Sequence, residues 1–150
     1  MSIQLTDLPN LLRRLASGAR GAGTTLSIED REITFPNAQT IAALLKHFGF
    51  AHSQAELYPI SREDAAALIA HLVAYDQAYG RPTNALAIGD DCGDQFVGMF
   101  PPEARFFTNS RDRIDASARS WASLTDATFD CGVVGIAPTR VGTIWFEDED

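Results

Sequence analysis

Leu5, Leu8, Leu11, Leu12 and Leu15 recur at helical spacing, with Thr6 or Asp7 placed as cap and Pro9 tolerable within a first turn. The spacing predicts a helix near 7–16 with Arg13 and Arg14 on its wet face, closed by the glycine-rich stretch 17–23. No strand precedes that stretch and no Lys-Ser/Thr follows it, so it reads as a linker and not as a phosphate loop. From Thr24 the pattern changes to alternation, with Leu26 and Ile28, then Ile33 and Phe35, around Glu29-Asp30-Arg31. That predicts a hairpin near 24–35. Pro36 stops it, Asn37 caps a helix near 38–48 with Ile41, Ala42, Leu44, Leu45 and Phe48 as its stripe, and Gly49 supplies a left-handed exit. Ser61 and Asp64 approximate a capping box for a helix near 62–79 whose apolar face is Ala65, Leu68, Ile69, Leu72, Val73 and Tyr75; Gly80 and Pro82 mark its stop.

Residues 84–99 admit two readings. Their glycines suit a hairpin turning at Asp90-Asp91-Cys92-Gly93, whereas a helical wheel gathers Ala85, Ile88, Gly89, Cys92, Phe96, Met99 and Phe100 opposite Asp90, Asp91, Asp94 and Gln95. The separation favours a helix, in which Gly89 and Gly93, four apart, allow a neighbouring element to come close. Pro101-Pro102 breaks it, and a strand is expected near 104–108. Residues 109–127 are polar and read as a long loop, with Trp121 either plugging the core or anchoring an interface. The closing segment carries two apolar runs, Phe129–Ile136 and Val141–Phe146, and predicts a hairpin over 129–146. The expected architecture is one globular α+β domain spanning 1–150, with antiparallel hairpins near 24–35 and 129–146 and a strand near 104–108, packed by about four helices.

Composition changes this picture at one point. A length of 150 residues, 45% hydrophobic, is sufficient for a core without disulfides or metal. The net charge is −8, of which residues 1–80 contribute −2 and residues 81–150 contribute −6. Such a field repels phosphate backbones, which disfavours direct nucleic-acid binding, and is complementary to a basic protein. No apolar run approaches the roughly 18 residues of a membrane span and the start has no leader-like pattern, so a cytoplasmic protein is expected. Cys92 and Cys131 lie among apolar residues and read as free buried thiols; two cysteines so far apart form no zinc pattern. His47 and His52 flank a glycine at a spacing poorly suited to a shared metal, and His71 reads as a helix-flank side chain.

Three groups are candidates for chemistry. Asp90, Asp91 and Asp94 offer hard oxygen ligands for a divalent cation, though D-D-C-G-D is not a calcium-loop pattern. Asp130-Cys131 lacks a nearby histidine, and an adjacent carboxylate raises a thiol pKa, which argues against a nucleophile. Glu147, Asp148, Glu149 and Asp150 form a compact negative cluster at the end of a strand. With three scattered histidines and no hydrolase or phosphate motif, no catalytic residue, metal site or cofactor is assigned.

The segments R-F-F-T-N (Arg105–Asn109), T-D-A-T-F-D (Thr125–Asp130) and I-W-F-E-D-E-D (Ile144–Asp150) resemble the ends of small uncharacterised bacterial proteins. In size and acidity the chain is similar to immunity proteins that neutralise toxins of interbacterial competition. The resemblance implies a protein-binding inhibitor, with no functional residue carried over. On it we expect Asp90, Asp91, Asp94, Glu147, Asp148, Glu149 and Asp150 to steer and dock a basic toxin surface, with Trp121 as apolar anchor. The alternatives are a small metal-dependent enzyme using Asp90, Asp91 and Asp94, and a homo-oligomeric structural component.

Overall fold

The two apolar runs at the end of the chain form the centre of a five-stranded antiparallel sheet. The structure is a computed structural model and describes residues 1–21, 23–33, 37–53, 56–110 and 123–149. Strands β4 (Phe129–Ala137) and β5 (Arg140–Asp148) pair from Phe129↔Asp148 to Ala137↔Arg140 around a turn at Pro138-Thr139. Both are buried on each side, which is why they read as nearly continuous apolar runs and not as alternation. β1 (Thr24–Asp30) flanks β5, β3 (Arg105–Thr108) flanks β4, and β2 (Tyr58–Ile60) closes the other edge, giving the order β1-β5-β4-β3-β2. The fold is α+β, as the pattern predicts.

The expected hairpin near 24–35 is not formed. β1 takes β5 as its partner over Thr24↔Phe146 to Asp30↔Arg140, and Glu32 and Ile33 lie outside any strand; Phe35 lies outside the described residues. The charges read as a turn are absorbed by the strand instead. Glu29 is met by His47 at 2.9 Å and Asp30 by Arg140 at 2.6 Å. Arg31 and Ile33 then donate their amides to the Thr139 and Pro138 carbonyls, tying the chain to the β4–β5 turn. On the outer edge of β1, Ser2 bridges to Glu29, so this edge is partly covered.

Helices cover both faces of the sheet. On one face lie α1 (Asn10–Ala16), α3 (Arg62–Ala74) and α4 (Gly89–Gly98), which bury Leu12, Leu15, Leu68, Leu72 and Phe96 against Ile28, Phe106, Val133, Ile144 and Phe146. On the other, α2 (Ala38–His47) buries Leu44 and Leu45 against Phe107, Val134, Ile136, Val141 and Trp145. Asn37 accepts the Thr40 amide and Ser61 the Asp64 amide, so both expected caps are present. Gly49 leaves α2 at φ +87°.

The segment expected at 84–99 is helical over 86–98, one 3₁₀ turn at Leu86–Ile88 running into α4. Cys92 and Phe96 face inward while Asp90, Asp91 and Asp94 are exposed, as the wheel arranges them, and Val97, which the wheel did not place, is buried with them. The glycines matter through their backbone: a Cβ on Gly93 would run into the Ala66 carbonyl of α3, and one on Gly89 would lie 2.6 Å from the Ala70 carbonyl oxygen. Two expectations shift. α1 is capped not by Thr6 or Asp7 but from α4, where Gln95 Oε1 accepts the Leu11 and Leu12 amides at 3.0 and 3.2 Å. α3 stops at Ala74 and not near 79, because Tyr75 turns extended to bridge Pro82 while Asp76 accepts the Tyr79 and Arg81 amides.

Candidate functional site: an acidic cleft beside the terminal strands

Alternation along β5 decides where its acidic end points. With Val141 and Trp145 packed toward α2 and Ile144 and Phe146 toward α3, Glu147 falls on the α2 face and Asp148 on the opposite one. The loop leaving α2 then runs over Trp145, whose indole meets the Phe50 ring edge-on at 5.2 Å. The segment 124–128 returns beside that loop: the His52 amide donates to the Leu124 carbonyl at 3.1 Å, and the His52 ring lies 2.8 Å from Asp126 Oδ1. Between the two loops and the end of the sheet opens a cleft of about 490 Å³, lined among others by Thr25, Phe48, Phe50, Asp126, Glu147 and Glu149.

The cleft is anionic. Burial pushes the Glu147 carboxyl up, and Asp130, Glu149 and Asp126 push it the same way, so among the described residues each charged neighbour that acts on it is itself a carboxylate. Glu149 accepts from the Thr128 amide at 3.2 Å and from the Thr128 hydroxyl, which aligns it along the rim. Beneath the cleft, fully buried, Asp130 faces Glu147 across the β4–β5 pair. With an aromatic wall and three carboxylates at its rim, the cleft is suited to a cation carried on an apolar stem.

The residues expected to dock a partner are dispersed by the fold. Glu147 and Glu149 line the cleft, but Asp148 lies on the other face, engaged by Arg20 at 2.8 Å and by both nitrogens of Gln77 at 3.0 Å. Asp90, Asp91 and Asp94 are exposed on α4, in the layer opposite the cleft, so the two acidic groups do not make one surface. Trp121 and Asp150 lie outside the described residues. Asp126 and Phe50 were not singled out, and Asp130 was weighed only beside Cys131 as a nucleophile and not as part of a docking site. Asp126 and Asp130 stand in T-D-A-T-F-D, and the signal that could have found them is two carboxylates four apart at the entry to a strand whose partner ends in Glu147-Asp148.

Among the described residues, no group of three or more His, Cys, Asp or Glu side chains is gathered to hold a metal ion. Asp90, Asp91 and Asp94 do not form such a group. Cys92 and Cys131 are buried and take part in no disulfide, and burial, followed by Asp91, pushes the Cys92 thiol up to about 11. No described helix is long and apolar enough to cross a membrane. The fold and the cleft define an α+β protein built on one antiparallel sheet with an anionic, aromatic-edged recess at one end. Compared with family models, curated proteins and solved structures, the chain matches none.

Proposed function

We propose that this chain is a cytoplasmic protein-binding inhibitor of the immunity type, which docks a basic surface of a cognate toxin at the cleft between the loops 48–53 and 124–128. The observation that carries the reading is the gathering of Asp126, Glu147 and Glu149 around one recess beside Phe48 and Phe50. A net charge of −8 would steer a basic partner toward it from a distance. The short-range work falls to the three carboxylates, whose Coulomb energy grows as a partner's side chain displaces water from the recess. Asp90, Asp91 and Asp94, on the other layer, would add to steering and not to contact.

Co-expression with the product of the neighbouring gene tests the biology, with growth restored only when this chain is present. Calorimetric titration of the purified pair tests the site. Replacing Asp126, Glu147 and Glu149 together by Asn, Gln and Gln should weaken binding by at least about tenfold, the value of roughly one good interfacial charge pair. It should also flatten the dependence on salt. The Asp90, Asp91 and Asp94 replacements should change chiefly the association rate. Unchanged affinity and salt dependence in the cleft variant would refute the reading.

A further inference from the structure

Asp130 is fully buried, and a buried carboxylate persists only where donors take its lone pairs. Five do so. Oδ1 accepts from Leu124 N at 3.1 Å, Asn109 Nδ2 at 3.2 Å and Trp145 Nε1 at 3.2 Å. Oδ2 accepts from the Thr125 hydroxyl at 3.0 Å and Thr125 N at 3.4 Å. None of these donors carries a positive charge. These five hydrogen bonds solvate the carboxylate and bring it no positive charge, one strand pair away from Glu147.

The identity of the donors matters as much as their number. Leu124 and Thr125 open the segment that carries Asp126 and Ala127 into the cleft, and Trp145 supports Phe50 on the opposite wall. Both walls are thereby referred to one side chain. Asn109, which also donates to the Asp130 carbonyl oxygen at 3.0 Å, ties the exit of β3 to the same point.

We propose that Asp130 is a positioning residue of the cleft and the fixed negative charge beneath it, so that the occupant must bring a cation of its own, a basic side chain of a protein partner. The inference rests on the reading of the cleft as the docking site. It goes beyond that reading by placing part of the recognition in a residue no partner can touch. The upward displacement of the Glu147 carboxyl, to which burial contributes most and Asp130 next, is what such a charge produces.

Two variants of the full chain separate shape from charge. In Asp130→Asn the amide group meets donors where an oxygen stood, and the charge is gone. Amide exchange at Leu124 and Thr125 should rise by on the order of tenfold, as for the loss of about one hydrogen bond. The Glu147 side-chain titration, followed by carboxyl NMR, should fall toward the ordinary carboxylate range. In Thr125→Val the charge stays, so exchange should rise while the Glu147 midpoint remains high. A staple with no electrostatic role would leave the midpoint where it is in both variants, and that result would overturn the proposal. If Asp130→Asn does not fold, a wild-type Glu147 that titrates in the ordinary range sinks the charge, and unchanged exchange in Thr125→Val sinks the positioning role. A tetra-arginine peptide is the probe for the occupant. It should shift the wild-type resonances of Thr25, Ala51 and Ala127 and bind Asp130→Asn at least about tenfold more weakly. A peptide that leaves those wild-type resonances unmoved refutes the cleft as a cation site, whatever Glu147 does.

Discussion

Replacing Asp148 by Asn should cost this protein about 3 kcal/mol, the lower end of what removing one partner of a buried ion pair costs. Asp148 accepts from Arg20 Nη1 at 2.9 Å and Nη2 at 2.8 Å, and from the Gln77 amide and side chain at 3.0 Å each. The Arg20 side chain is only 2% exposed, so it cannot recover water when its counter-charge goes. The lower end applies because Arg20 keeps the Leu72 carbonyl at 2.7 Å, the Tyr75 carbonyl at 3.4 Å and the face of Phe146 at 5.1 Å. In a chain of this length about 3 kcal/mol corresponds to a fall in Tm of about 6–12 °C, measured by circular dichroism or calorimetry. The pH dependence has a definite sign. Burial alone would raise the Asp148 carboxyl, and Arg20 and Gln77 more than offset it, leaving it below its ordinary value. A lowered carboxyl contributes stability above its unfolded value and loses it as pH falls through the folded one. The gap between wild type and variant should therefore be constant from about pH 8 to 5 and close below about pH 4. A cost below about 1 kcal/mol, as for an exposed pair, or a gap that persists in strong acid would refute the argument.

Glu147 has the opposite sign. Its folded carboxyl is raised by burial and then by Asp130, Glu149 and Asp126, so its ionisation works against the fold, and its contribution is lost as pH rises through the folded value. Glu147→Gln should raise Tm at pH 7 by about 1–3 °C, with the gain vanishing near pH 4, and a fall in Tm at pH 7 would show the charge to be stabilising. Gly93→Ala should destabilise by about 1–3 kcal/mol in urea unfolding, although alanine gains about 1 kcal/mol of helix propensity over glycine. The new methyl would strike the Ala66 carbonyl and part α3 from α4. Gly98→Ala, with open space around its Cβ position, should do no harm, and equal effects at the two sites would contradict the contact.

Local signals carried the helices well. Ser61 and Asn37 cap as their side chains dictate, and the wheel over 84–99 sorted Cys92 and Phe96 from Asp90, Asp91 and Asp94 in spite of the glycines. The β4–β5 pair was legible because its turn lies between two apolar runs. The partner of β1 was not legible. Alternation of Leu26 and Ile28 fixes a buried face but says nothing of which edge the backbone will meet, and here the edge lies more than a hundred residues away at β5. The end of α3 was hidden for a related reason. Tyr75 leaves the helix to bridge Pro82, a contact that periodicity does not encode. Of the candidate site, Glu147 and Glu149 were visible as charge. Their separation from Asp148, and the arrival of Asp126 from another segment, depend on which face of β5 each residue takes.

That choice of face follows from packing deep in the sheet. Gly135 and Gly142 lie directly opposite each other in β4 and β5, and the Phe100 ring fills the space where their side chains would be, 2.8 and 2.9 Å from the Cβ positions. Val141 and Thr143 flank Gly142, so a slip of β5 by one residue would set a branched side chain against that ring. The register in which glycine faces glycine is the one that admits Phe100. Five residues on, that register sends Glu147 into the cleft opposite Asp130, and one residue further it sends Asp148 to Arg20. The run Glu147-Asp148-Glu149 is thus divided by the two-residue period of the strand into a lock on one face and a rim on the other. The lock in turn holds the end of the strand from which the rim projects. A partner that pulled on Glu147 and Glu149 would draw against Arg20 and Gln77 and not against a free tail, which is the condition for charges at a strand end to bind with little cost in ordering.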